Sequence, residues 1–464
     1  MKKLVSILFT VLLLNASNIG VSNTLTLNEA LDILKSENLE IKAASLDVKS
    51  AQEKAKTVSG TNWGKLDFIQ DYANSNDAGN VFGFKLTSRE ADFGDFGAKE
   101  FMTNSQLCQG GNMAACNNMY TKPPHDLNYP DSRNFFQTKL KYEVPLFTGF
   151  KISSYTDIMN AMTKMKTLDK QQVINEKIYQ LRKSFYDMAL LNESIKNLNT
   201  ILKNIDTLEN MTQSMIDVGY AKKVDLLEVR AKKGNVERLV FQMKANKKLL
   251  YQYISFLLNQ QITKIKTPAQ DVPMPTFSDE EILNSNIDIQ KASTGLEVRK
   301  SMLRASESSY YPMVGAFAEV ATADDTFLGE ADDHKSYTVG ARLTWNIFNG
   351  GVDSAKVQKS KIEKLKVQTQ VQLAKKGIAL KIAKTRTQIK TLDAQIVSLN
   401  KELTLANEIY NNYEGRYREK LSSMSDVIIK QSEQIQKILQ LQMAHNKRNE
   451  RIFALEKLAN GENK

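Results

Sequence analysis

Few residues in this chain have the types and spacing that chemistry requires. Cys108 and Cys116 are the only cysteines, and His125 follows them. Such a trio offers either a disulfide or part of a metal site, and a metal site normally draws on more ligands than these. His334 and His445 stand in unlike contexts without spaced partners, so packing or surface roles are expected for all three histidines. The sixteen methionines are scattered, as residues that fill gaps in packing are. No phosphate-binding glycine loop, zinc-protease helix motif or dinucleotide fingerprint occurs. The chain does not read as an enzyme, and nothing in it calls for a cofactor or a resident metal.

The more telling spacing is a repeat. Val144-Pro145-Leu146-Phe147-Thr148-Gly149 recurs in outline as Trp345-Asn346-Ile347-Phe348-Asn349-Gly350, a shift of 201 positions. Asp225-Leu226-Leu227 lands on Asp426-Val427-Ile428 by the same shift, and Met188, Leu191, Ile195, Leu198, Leu202 and Ile205 land on Ile389, Leu392, Ile396, Leu399, Leu403 and Ala406. A period this long excludes a solenoid and indicates one large unit built twice.

The elements that position these residues are long helices. Seventy residues separate Gly149 from Gly219, and the same interval runs from Gly350 to Lys420. As a helix each stretch is roughly 105 Å long. The second seam holds Ile378, Ile382, Ile389, Leu392, Ile396, Leu399, Leu403, Ala406, Tyr410, Tyr413 and Tyr417. Such a stripe needs a partner helix, and Val236, Leu239, Met243, Leu250, Tyr253 and Leu257 supply one in the returning direction. Only eight prolines occur, none between Pro145 and Pro268 or after Pro312. Pro268, Pro273 and Pro275 break the pattern between Thr263 and Asp279. Asn286-Ile287-Asp288-Ile289 then resembles Asn38-Leu39-Glu40-Ile41 at a shift of 248. The difference between 248 and 201 leaves 47 extra residues in the first copy, inside a segment from about Asn74 to Arg133.

Lys2 and Lys3 precede an apolar run from Leu4 to Leu14, with Leu14-Asn15-Ala16 or Gly20-Val21-Ser22 as cleavage sites. That reads as a secretory signal peptide and an exported mature chain. The expected organisation is a signal peptide at 1–22, a first repeat at 23–262, an equatorial linker at 263–279 and a second repeat at 280–464. The net charge of +11 is spread along helical faces, which reads as a solvated surface rather than a nucleic-acid footprint. The mature part has no apolar stretch long enough for a helical membrane span.

Strands offer the other route into a membrane. Phe136, Thr138, Leu140, Tyr142, Val144 and Leu146 alternate with Gln137, Lys139, Lys141 and Glu143; Val339, Ala341, Leu343, Trp345 and Ile347 alternate with Thr338, Arg342, Thr344 and Asn346. Leu66, Phe68 and Tyr72, and Val314, Ala316 and Val320, mark the strands before them. Four strands of about ten residues each cross a bilayer when tilted. They cannot close a barrel alone, and an open edge is not tolerated in hydrocarbon. The fold class is therefore mainly α with a transmembrane β part, and copies must join; a trimer gives twelve strands and room for a water-filled bore.

The Pro145-to-Gly149 junction, its copy at Ile347-Phe348-Asn349-Gly350-Gly351 and the motifs at 216–227 and 417–428 together resemble the TolC-type outer-membrane channels, over essentially the whole mature chain. The resemblance implies a trimer with a twelve-stranded barrel in outer-membrane lipid and an α-helical tunnel through the periplasm. It also implies partnership with a periplasmic adaptor and an inner-membrane RND or ABC pump. Pro145, Phe147, Gly149, Phe348 and Gly350 are then the strand-to-helix junctions. Gly219, Asp225, Glu228, Tyr417, Arg418 and Asp426 fall at the closing tips, with Lys420 standing where the family shows glycine. Gly219 suits a helix C-terminus by its tolerance of positive φ. Asp225 suits the cap of the returning helix, and threefold rings of carboxylate favour cations. Cys108 and Cys116 fall in an outer-surface loop in oxidising surroundings, where a disulfide is the expectation.

The reading that follows is a passive exit duct for efflux or one-step secretion. Two other classes share parts of the pattern. A surface-anchored adhesive coiled coil has no need of a hairpin and return helix copied twice, and a periplasmic coiled-coil adaptor would lack transmembrane strands.

Overall fold

The computed structural model describes residues 24–268, 272–329 and 333–461. The expected signal peptide lies outside them. In chain order the elements are α1 (Leu27–Glu37), α2 (Leu39–Gly60), β1 (Lys65–Ser75), α3 (Ala78–Thr87), α4 (Ala98–Gln109), α5 (Met113–Thr121), α6 (His125–Asn128), β2 (Arg133–Phe147), α7 (Lys151–Asp217) and α8 (Lys223–Leu258). There follow α9 (Asp279–Ser285), α10 (Ile287–Glu307), β3 (Met313–Asp324), β4 (Lys335–Thr344), α11 (Val352–Arg418) and α12 (Met424–Leu458). Both α7 and α11 have 67 residues. The chain forms two units: a helical one from the described residues of Met1–Leu46, Leu168–Gln290 and Leu373–Lys464, and a second from Asp47–Thr167 and Lys291–Gln372.

In the helical unit the heptad stripes are the core. Leu198, Ile201, Ile205 and Leu208 of α7, Val229, Val236 and Val240 of α8, Tyr410 and Tyr417 of α11, and Met424, Val427 and Ile435 of α12 form one buried cluster. Two further clusters are built alike: α1, α7 and α8 around Leu34, Phe185 and Leu257, and α9, α11 and α12 around Ile282, Ile382 and Phe453. The expected return seam needs one correction. Tyr253 is exposed and Ile254 is buried in its place, because a straight helix of 3.6 residues per turn drifts against a seven-residue repeat.

Helix starts follow local chemistry. Thr26 with Glu29, Ser278 with Glu281, and Ser423 with Asp426 are full capping boxes at α1, α9 and α12, each satisfying free N–H groups. The breaks α1/α2 and α9/α10 carry a matched pair. Asn38 Oδ1 accepts from the Glu40 and Ile41 N–H groups while its Nδ2 donates to the Leu257 carbonyl at 2.8 Å. Asn286 Oδ1 accepts from Asp288 and Ile289 while its Nδ2 donates to Leu458 at 3.0 Å. Each buried asparagine starts one helix and ties down the C-terminus of another.

The second unit holds a single antiparallel sheet in the order β1-β2-β3-β4. Leu66 faces Tyr142, Phe68 faces Leu140, Leu140 faces Val320, and Ala318 faces Val339, so the apolar alternation of all four strands falls on one face. At Pro145 the β2 register shifts, since proline has no N–H for the ladder. The extent of the last strand is corrected. β4 ends at Thr344, and Trp345 and Ile347 lie beyond it, exposed. Thr344 pairs with Met313, and the next residue back is Pro312, which cannot continue the pairing.

Candidate functional site

The sheet has two unlike faces. Leu66, Phe68, Tyr72, Leu140, Tyr142, Val320, Tyr337, Val339 and Leu343 are exposed on one. The other carries a ladder of charge: Lys65 lies 2.7 Å from Asp67 and 3.4 Å from Glu143, Lys141 lies 2.8 Å from Glu143, and Lys139 lies 3.2 Å from Asp71. Of these, Lys65, Lys141 and Glu143, together with Glu319, Thr338 and Arg342, line an open concavity that they share with apolar residues such as Phe147, Ile152 and Phe317. Exposed apolar side chains in register across four strands belong against lipid, and paired charges belong against water. β1 and β4 each keep one edge without a strand among the described residues. No described helix is long and apolar enough to cross a membrane.

At the junctions the two copies use glycine differently. Gly149 has φ +60°, and a Cβ there would come within 2.7 Å of the Ser308 carbonyl and 2.8 Å of Tyr311. Phe150, also at positive φ, packs its ring between Phe147 and Tyr311 at 5.4 and 5.8 Å. Gly350 has φ +68° but open space around it, and Phe348 is exposed. Backbone conformation alone calls for glycine at the second junction; packing adds to it at the first.

The tips reverse by one geometry. After α7, Gly219 at φ +75° donates to Ile216 and Tyr220 donates to Met215; after α11, Lys420 at φ +64° donates to Tyr417 and Leu421 donates to Arg416. Lys420 thus adopts a conformation that glycine takes more cheaply. Its ammonium sits 3.2 Å from the centre of the Tyr220 ring, a cation–π contact that joins the two tips. Sequence reasoning noted Lys420 only as a departure from glycine; its neighbour, one residue past the matching Gly219, was the available signal.

The tip carboxylates cap helices. The Lys222 N–H donates to Asp225 Oδ2 at 2.9 Å. The Ser423 hydroxyl and N–H donate to Asp426 Oδ2 at 2.6 and 3.2 Å. These Ser423 bonds hold the Asp426 carboxyl below its ordinary range. Glu228 is half-buried, and Arg418, exposed, pairs with Glu414 at 3.3 Å. Tyr417 is buried among Met424, Val427 and Leu208, and burial pushes its phenol up. The structure therefore gathers Gly219, Tyr220, Asp225, Tyr417 and Lys420 at the end of one bundle, with Tyr417 as part of its core.

At the end of the sheet away from α7 and α11, Cys108 and Cys116 are joined as a disulfide with their Cα atoms 4.8 Å apart. Glu90, Asp324 and His334 bring ligand atoms within 4.8 Å of one another, a grouping that the sequence positions gave no hint of. The Arg133 guanidinium contacts Glu90 and lies 3.6 Å from Asp325, so a cation of the chain's own already serves Glu90, while His334 lies 3.8 Å from Asp324.

Residues 280–461 match the sequence model of the outer membrane efflux protein family. Over that segment, the second half of the duplication, the chain is similar to the outer membrane efflux proteins. Solved structures agree in fold. VceC, an outer membrane protein of Vibrio cholerae, is 12% identical with a TM-score of 0.74 over 94% of this chain and 97% of its own. The open-state MtrE outer membrane channel of Neisseria gonorrhoeae is 13% identical, with a TM-score of 0.73 over 94% and 89%. The Campylobacter jejuni CmeC outer membrane channel is 13% identical, with a TM-score of 0.74 over 94% and 85%. No curated protein sequence matches the chain. The expected TolC-type architecture, helical with a four-stranded contribution to a barrel, is thus the observed one.

Proposed function

We propose that three copies close a twelve-stranded barrel and that the assembly is the passive exit duct of a tripartite efflux or one-step secretion system. The observation that carries this reading is the sheet with two open edges, one apolar face and one face of paired charge. Four strands in lipid leave unpaired N–H and C=O groups that only neighbouring copies can satisfy, and the charged face then lines the bore. A twelve-stranded barrel is wide enough for water, whereas an eight-stranded one fills with side chains. No nucleotide site is legible in the sequence, so the driving energy comes from an inner-membrane RND or ABC pump, reached through a periplasmic adaptor. In this assembly Gly219, Asp225, Glu228, Tyr417, Arg418 and Asp426 lie around the periplasmic opening. The carboxylates not exhausted by capping bias it toward cations.

Purified protein in planar bilayers should show stepwise conductance with cation preference, reduced in Asp225→Ala and Asp426→Ala. Absence of steps, or a stable monomer in lipid, sinks the duct reading. Unchanged selectivity in both variants removes only the role given to the two aspartates. Cross-linking in cells should recover an adaptor with a pump, whose class then indicates small-molecule or protein cargo.

A further inference from the structure

The charged face of the sheet changes character along its length. Near α7 and α11 it borders the open concavity, but at the hairpin end Phe135, Ala321 and Ala323, on that same face, are buried. The cover comes from the segment at 76–132 that connects β1 to β2. Phe84 of α3 stacks on Phe135 with ring centres 4.3 Å apart and planes 10° from parallel. Val81 and Ser88 on the same stretch are buried too. Just beyond, Glu90 takes the Arg133 guanidinium, which reaches on toward Asp325.

The segment is a folded body rather than a loose loop. The disulfide ties α4 to α5, Lys85 pairs with Asp95, and the His125 N–H donates to Glu100 at 3.2 Å. Gly97, at φ +85°, lies so close to Pro124 that a Cβ would come within 2.5 Å of its ring. The matching connection between β3 and β4 has no helix among its described residues, 325–329 and 333–334.

We infer that this insertion is an outer-mouth plug: α3 folds inward over the lumen face, held by the Phe84–Phe135 stack and the Arg133–Glu90 ion pair, so that the duct has a second barrier at its exit. The inference rests on the reading of the charged face as the bore. Repeated in each copy around the ring, α3 and the body behind it narrow the exit from all sides, and cargo must displace them to leave.

The test uses the full chain in intact cells and a membrane-impermeant maleimide carried on a long polyethylene glycol, added outside. The reporter is Lys141→Cys, on the lumen face below the plug. Labelling should be slow in the otherwise unaltered chain. It should be faster by about ten-fold or more with Phe84→Ala and Glu90→Gln added, since rate follows the opened population. Replacing residues 78–129 by a short Gly-Ser turn should give the same acceleration. If the unaltered plug and the point variants label at one rate, there is no plug. A reporter at Val339→Cys, on the apolar face, should stay unlabelled in every background. Labelling there overturns the duct reading itself, independently of the plug. The point variants leave the folded insertion in place, so the test does not depend on the deletion assembling.

Discussion

Four positions near the tip occur in both hairpins and are used in opposite ways. In the first, Arg230 donates to Glu209 at 2.8 Å and Lys233 lies 2.8 Å from Asp206 and 3.0 Å from Glu209. Shifted by 201, the same positions hold Asn407, Tyr410, Gln431 and Gln434. There Gln434 donates to Asn407 at 2.9 Å and Gln431 donates to Tyr410 at 3.4 Å. Tyr410 is 1% exposed and Gln431 0%, whereas the Arg230 side chain keeps 56%. One hairpin turns this stripe to water and clasps it with ions; the other turns it into the core and clasps it with neutral groups. Duplication copied the geometry, and each environment then selected its own chemistry, because a charge pair costs little in water and much when buried.

Exchanging the two chemistries is the strongest way to break the comparison. Tyr410→Glu with Gln431→Arg places an ion pair in the core and should cost about 3 kcal/mol or more. Glu209→Tyr with Arg230→Gln in the first hairpin should stay within about 1 kcal/mol. Denaturant midpoints of the helical circular-dichroism signal read both, and equal costs would refute the asymmetry. The buried asparagines make the converse case, two sites used alike. Asn38→Ala and Asn286→Ala should each cost about 2 kcal/mol, since each leaves a helix-end carbonyl and two N–H groups unpaired. Clearly unequal losses would show that the two asparagine joints differ.

At the reversals the expected effects are smaller. Lys420→Gly relieves a left-handed conformation and should stabilise by about 1 kcal/mol, less the contact with Tyr220. Gly219→Ala should destabilise by a similar amount. Smallest is the pH response of the ionic clasp. Arg230 and then Lys233 hold the Glu209 carboxyl below its ordinary value of 4.5. Its contribution is therefore complete above that value and lost as the pH falls through the lowered one. Acidifying across this range should weaken wild type more than Glu209→Gln, by under about 1 kcal/mol, and added salt should shrink the gap. An unchanged gap would mean that the clasp contributes nothing.

Repetition and alternation are local properties, and they made most of the architecture legible. The 201-residue shift placed both long helices and both tip reversals, and the two-residue period placed all four strands on one face. Asn38 and Asn286 showed up as a repeat, but their carbonyl partners, Leu257 and Leu458, lie too far along the chain to be read from it. Pairing also hid the early end of β4, because Pro312 acts from another strand, and the exchange of Tyr253 for Ile254, because helical drift accumulates over many turns. Tyr417 fitted a heptad stripe and a tip motif equally well, and only packing decided that it is core.

The sequence by itself determined the elements, their duplication and the apolar face that seeks lipid, since these follow from the spacing of residues close in the chain. Only the tertiary structure decided which copy of a shared stripe is buried, that Lys420 reaches Tyr220, and that the insertion turns inward onto Phe135. Each of those depends on which distant surface a side chain meets, and desolvation and contact energies are set by that neighbour rather than by the residue's own type.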